Sequence, residues 1–140
     1  MPGLSRRIAV VAAVLAGGTV ATSATLAQTV DDYTRTAGGL TVYLGVMPAA
    51  IVKGQPTMHG GAPGGSHEYH LVAAIFDAAS AARVSDATVI AKVSGLGLSG
   101  SEKALEPMNI EKTTTYGGFF YLPGADVYTI RLTVRRPGSQ

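Results

Sequence analysis

The chain has 140 residues, no cysteine, and 11 Lys and Arg against 9 Asp and Glu, a formal net charge of +2. Without thiols, zinc-thiolate centres, cysteine nucleophiles and disulfide staples are excluded, so the fold must be held by burial. Nucleic acid requires a basic patch or stripe, and nothing denser than Arg131, Arg135 and Arg136 occurs here.

At the start of the chain, Arg6 and Arg7 precede an apolar run over 8–15 and then small residues down to Ala27. That order predicts a helical secretory signal peptide over 1–27, with Thr25-Leu26-Ala27 as its small-residue cleavage site. The run extends to Ala21 at most, 14 residues, whereas a membrane span needs ~20. A periplasmic or secreted location is therefore expected. Loss of the signal leaves 113 residues carrying nine basic and nine acidic side chains, enough for one domain and too few for two. Residues 28–39, with Asp31-Asp32, read as a polar tether, and residues 40–137 as the folded domain.

Period-two alternation, the mark of half-buried strands, dominates that domain. Leu40, Val42, Leu44 and Val46 share one face of a first strand. Residues 68–76 are apolar on both faces, which predicts a central strand. After a turn over 77–82, alternation resumes with Ala87, Val89, Ala91 and Val93. Gly95-Leu96-Gly97-Leu98-Ser99-Gly100 satisfies the dinucleotide pattern G-x-G-x-x-G. The fingerprint needs a helix immediately afterwards, which Pro107 curtails, so the segment reads as a glycine-rich turn. Further strands are expected around Ile51 and Met108.

Residues 113–122 have a β composition of Thr, Tyr and Phe, and Gly117-Gly118 within them implies a bulge or a close backbone approach. Residues 127–135 give the clearest alternation, with Tyr128, Ile130, Leu132 and Val134 on one face. Tyr128, entering that strand after Pro123-Gly124, has the placement of a tyrosine corner, although an ordinary inward Tyr fits equally. These short strands predict an all-β fold, an immunoglobulin-like antiparallel β-sandwich short of its last edge strand. An open edge of that kind would be a homodimer surface.

All three histidines, His59, His67 and His70, fall within twelve residues, and Met58 opens the window. Residues 57–66 hold four Gly and one Pro, a loop composition. Imidazole and thioether donors together suit copper, above all Cu(I), while Mg and Ca sites need carboxylates that this window lacks. Strand parity constrains the cluster. If the strand includes His67, then His67 and His70 point to opposite faces and cannot share an ion; if it begins at Glu68 or Tyr69, His67 belongs to the loop and can fold back with Met58 and His59, and His70 shares a face with Val72, Ala74 and Phe76. A core-edge His70 beside two solvated loop histidines is the plainer alternative. Met47-Pro48 and Pro107-Met108 are further sulfur positions at strand ends, where methionine otherwise serves as core filler.

Leu105-Glu106-Pro107-Met108, followed by Tyr116-Gly117, is similar to the Met-Pro-Met and His-Tyr-Gly segment of the periplasmic Fe2+ transport protein family. The resemblance implies an immunoglobulin-like copper-binding domain that accompanies a high-affinity iron permease. It makes Met108 a copper ligand, and it puts Thr115 where that family has a His, so an imidazole would have to come from His59, His67 or His70. The strand at 68–76 and Ala82-Arg83-Val84 resemble the family's central hairpin, whereas 85–101 looks like added material.

No G-x-S-x-G elbow or positioned base accompanies the Ser, His and Asp residues, so no enzymatic role is expected. The resulting expectation is an exported protein that binds copper or iron through Met58, His59, His67, His70 and Met108 and passes it to a membrane permease. Ligation needs neutral imidazoles, so binding should weaken as pH falls through about 6.5, the ordinary His value. The alternative is a non-catalytic envelope module that docks through a sheet edge or through the aromatic segment 116–121.

Overall fold

The computed structural model describes residues 8–12, 33–52, 65–95, 98–124 and 127–138. Among these residues the strands are β1 (Ile8–Ala12), β2 (Thr34–Ala37), β3 (Leu40–Pro48), β4 (Glu68–Asp77), β5 (Thr88–Gly95), β6 (Leu98–Ile110), β7 (Thr113–Tyr121) and β8 (Tyr128–Arg135). One short helix, α1 (Ala49–Val52), follows β3. The all-β expectation holds.

The strands form one sheet in the order β1-β8-β5-β6-β7-β4-β3-β2. Every neighbouring pair is antiparallel except β1 on β8. β6 joins the two halves: Leu98 to Leu105 lie along β5, and Glu106 to Ile110 lie along β7. A sandwich was expected from the alternation; the two halves do face each other across a core, but as one curled ladder. Alternation reports which face of a strand is buried, not which neighbour takes its backbone hydrogen bonds.

The core fills the inside of the curl. Val42 and Leu44 of β3 with Leu71, Ala73 and Ile75 of β4 meet Val89, Ala91 and Val93 of β5 with Ile130, Leu132 and Val134 of β8. The inward sets read from the alternation of β3, β5 and β8 are therefore correct, and β4 is central between β3 and β7.

Two turns show how local chemistry closes hairpins. β2 and β3 are joined by Gly38-Gly39, both at positive φ, the two-residue geometry that matches strand twist. β6 and β7 are joined by Glu111-Lys112, at φ 48° and 67°. Here side chains occupy the left-handed region without glycine, at a cost in backbone strain.

Tyrosines tie the loops to the core. The Tyr128 hydroxyl donates to the Pro123 carbonyl five residues upstream, the hydrogen bond a tyrosine corner makes. Its ring occupies the space a Cβ at Gly95 would need, 2.8 Å from that position, which explains glycine where the β5–β6 register shifts. Tyr116 donates to the Val84 carbonyl at 3.1 Å and accepts from the Ala87 N–H at 3.0 Å. Gly118 is the close approach expected in β7, since a Cβ there would lie 3.1 Å from Leu105 Cδ2.

Four segments depart from expectation. Residues 8–12, expected as part of a helical signal, are extended and pair in parallel with β8. A short apolar run rich in β-branched residues cannot be told apart as helix or strand by pattern, and the outer edge of β8 offers it a ladder. In the full chain β1 lies along the outer edge of β8, an edge that removal of residues 1–27 would expose; the rest of the expected signal lies outside the described residues. Thr34–Ala37, expected within the tether, form β2 because the Gly-Gly turn folds them back on β3. Ile51, expected in a strand, lies in α1: Pro48 has no N–H to extend a ladder, and two alanines follow it. Residues 85–101, expected as added material, contain β5, which pairs on both sides and is integral to the core.

Candidate metal-binding pocket

β4 carries the site because His70, on the face away from the core, is covered as well. Leu71, Ala73 and Ile75 point into the core, and His70, on the opposite face, is 1 % exposed. His70 is the only polar residue buried to that degree among the described residues. Its ring stacks on Phe119, its register partner on β7, with centroids 4.7 Å apart and planes 28° apart. Phe119 is itself anchored: Lys103 on β6 donates to its carbonyl and lies 4.7 Å from the centre of the Phe120 ring. The imidazole is therefore held by a chain of packed groups running from β6 through β7.

On its other side His70 faces Met47, directly opposite in the β3–β4 register. Side chains in such cross-strand pairs start from Cβ atoms about 4.5–5.5 Å apart, within mutual reach. Met108 on β6 stands opposite Thr115 on β7, displaced along the sheet from His70. These four side chains open onto one pocket of about 230 Å3. Its remaining lining, Ile51 and Val52 of α1 with Val72 and Ile110, is apolar. Gly45 and Gly117, register partners of Val72 on either side, leave the floor of the depression low.

Among the described residues no carboxylate lines the pocket. Thr115 Oγ1 is buried with no hydrogen-bond partner among the described residues, a polar atom left in an otherwise apolar and thioether-lined space. Among the described residues no three His, Cys, Asp or Glu side chains gather closely enough to hold an ion, so a metal here must draw on sulfur. Thioether and imidazole donors make such a site chemically coherent for a soft ion.

Of the five residues singled out from sequence, His70 and Met108 share this pocket. His67 does not line it. β4 begins at Glu68, so His67 belongs to the preceding turn, as the second parity alternative required. Its ring packs edge-on to Tyr121 at 5.9 Å, and its carbonyl accepts from the Leu122 N–H at 2.8 Å. Met58 and His59 lie outside the described residues. Met47, a further sulfur position in the sequence and not one of the five, also lines this pocket. Its signal was present: four residues of alternation place it next on the wet side of β3, opposite whichever β4 residue the hairpin register selects.

The aromatic segment 116–121 is mainly structural. Tyr116 and Phe120 are buried, Phe119 stacks on His70, and only Tyr121 is exposed, at 56 %. At the end of β4, Asp77 closes the turn: its Oδ1 accepts from the Ser80 and Ala79 N–H groups and the Ser80 hydroxyl, and its Oδ2 from Arg136. These hydrogen bonds, those from Ser80 foremost, lower its pKa from 3.8 to about 2. Among the described residues, no helix is long and apolar enough to cross a membrane.

No family model, curated protein or solved structure matches this chain. The functional reading accordingly rests on the pocket and on the sequence order at the N-terminus.

Proposed function

We propose that this chain is an exported, immunoglobulin-like metal-handling protein that binds copper or iron through His and Met side chains and passes the ion to a membrane permease. The observation that carries this reading is that Met47, His70 and Met108 line one largely apolar pocket. The Arg-Arg start, the apolar run after it and the small-residue stretch to Ala27 support export. The Tyr128 hydroxyl on the Pro123 carbonyl supports the immunoglobulin-like reading of the fold. The ion is cargo, and the role asks for binding and release, with no acid–base or nucleophilic machinery.

Metal titration of the purified full chain tests it. The expected result is one equivalent bound, with binding lost when His70→Gln and Met108→Leu are combined. Equal binding by that variant, or none by the parent chain, overturns the reading. Recovery of the protein from the periplasmic or culture fraction with Gln28 at its N-terminus is the expected outcome for export.

The second reading, a non-catalytic envelope interaction module, draws on the exposed rings of Tyr121 and Tyr43. It requires that Tyr121→Ser abolish capture of an envelope partner while Met108→Leu leaves it intact.

A further inference from the structure

We infer a second binding site, for the ring of a neutral sugar, on the outer face of β3 and β4 beside the turn that follows β4. A cleft of about 480 Å3 lies there, walled by the Tyr43 and Phe76 rings. That volume falls in the range of about 300–1,000 Å3 that ligand clefts occupy. The cleft shares no lining residue with the pocket at His70, and it stands or falls independently of the metal reading.

Two cross-strand pairs shape it. Tyr43 stands opposite Ala74, and Phe76 opposite Thr41, so each ring has a small neighbour across the ladder. The rings therefore meet diagonally, with centroids 5.6 Å apart and planes at 88°. Tyr43 lies in the middle of β3 and is still 49 % exposed, which leaves its ring available to a ligand. The turn supplies the remaining wall, with Asp77, Ala78 and Ala81. This wall is tied in place: the Ala78 N–H donates to the Gly39 carbonyl and the Ala81 N–H to the Asp77 carbonyl, each at 2.9 Å. The Asp77 carboxylate is fixed by Ala79, Ser80 and Arg136. A wall ordered before the ligand arrives lowers the cost of binding.

Charge decides the class of ligand. Among the described residues no Lys or Arg lines the cleft, and its one carboxylate is balanced by Arg136 at 3.0 Å. Arg83 lies over the Phe76 ring, 4.4 Å from its centroid, so that ring already has its cation. An organic cation would meet two guanidinium groups against one carboxylate. An anion would meet that carboxylate with no lining cation to receive it. The fitting ligand is neutral, with an apolar face for the rings and hydroxyl groups for Asp77 and Thr41.

A sugar ring has both. Its C–H bonds, polarised by the neighbouring oxygens, pack on the negative face of an aromatic ring. Its hydroxyls need partners at the edge of that ring. Among the described residues Asp77 Oδ2 accepts from Arg136 alone, which leaves it room for one hydroxyl donor. Thr41 Oγ1, bonded to Thr36 Oγ1 at 3.0 Å, retains further hydrogen-bonding capacity.

The test is saturation-transfer NMR on the full chain, with the methyl glycosides of glucose, galactose, mannose and N-acetylglucosamine as probes. Expected are transfer to the ring C–H protons of at least one glycoside and shifts of the Tyr43 ring signals on titration. Tyr43→Ala is expected to weaken that glycoside by about tenfold, while Tyr43→Phe retains it. Ala74→Leu, which fills the space opposite Tyr43, is expected to abolish binding with the circular dichroism unchanged; should it lose the fold, Tyr43→Ala decides. Met108→Leu is expected to bind the glycoside as the parent does. No transfer to any of the glycosides, or undiminished binding by Tyr43→Ala, overturns the inference. So does tetramethylammonium or benzoate displacing the glycoside from the Tyr43 ring at lower concentration.

Discussion

β8 and β4 are strands of the same sheet, yet they do different work. In β8, Ile130, Leu132 and Val134 are buried while Arg131 and Arg135 on the other face are exposed. In β4, Leu71, Ala73 and Ile75 are buried on one face, and His70 is buried on the other, under the pocket side chains. A strand with one wet face is a wall. A strand that buries a polar side chain on its second face holds it in dry surroundings, where its interactions are strongest.

That contrast can be broken most forcefully from the core side. Ile75→Ala and Leu132→Ala remove fully buried side chains and should each cost about 2–5 kcal/mol, measured by urea unfolding. Equal losses are expected from both, because the inner faces of the two strands belong to one core. A much smaller loss in either would separate the two halves of the sheet energetically.

Next in size is Gly95→Ala, whose new Cβ would fall 2.8 Å from the Tyr128 ring. The ring is tied through its hydroxyl to Pro123 and cannot step aside freely, so overpacking should cost about 1–3 kcal/mol. Combining Gly95→Ala with Tyr128→Phe tests the tie: a partial rescue of the thermal midpoint is expected once the hydroxyl no longer anchors the ring.

The outer faces give the smaller effects and sharpen the difference between wall and site. Met108→Leu conserves volume and should change stability by less than about 1.5 kcal/mol while removing Cu(I) binding, read by chelator competition. Arg131→Ala on β8 should stay within about 0.5 kcal/mol and leave Cu(I) binding unchanged.

Smallest is the contribution of Asp77, whose folded pKa is lowered from 3.8 to about 2. A depressed carboxylate stabilises the fold above its ordinary pKa, and that contribution is lost as pH falls through the folded value. The difference in thermal midpoint between the parent chain and Asp77→Asn should therefore be constant above pH 5. It should shrink between about pH 4 and pH 2, read by scanning calorimetry.

Much of the fold was legible in the residues. Alternation located β3, β5 and β8 and their inward faces, and the doubly apolar character of 68–76 marked β4 as central, because a strand's side chains reverse direction at every residue. Less legible was β6. Residues 101–106 are exposed except for Leu105, and a strand that changes partner midway leaves no periodic apolar signature. The site was half legible. Chemistry singled out His70 and Met108, which line one pocket, whereas the two possible strand starts left the place of His67 open until β4 was seen to begin at Glu68. Met47 passed as filler, because its importance comes from standing opposite His70.

By itself, then, the sequence determined the class of fold, the donor types and the absence of thiol chemistry, since these follow from composition and local period. Only the tertiary structure decided which of the His and Met side chains share a pocket. Hairpin register places Met47 against His70, the turn of β6 toward β7 brings Met108 to the same pocket, and α1 covers it. Those are pairings between residues far apart in the chain, and they depend on which backbone groups hydrogen-bond to which, a choice that no local pattern of side chains records.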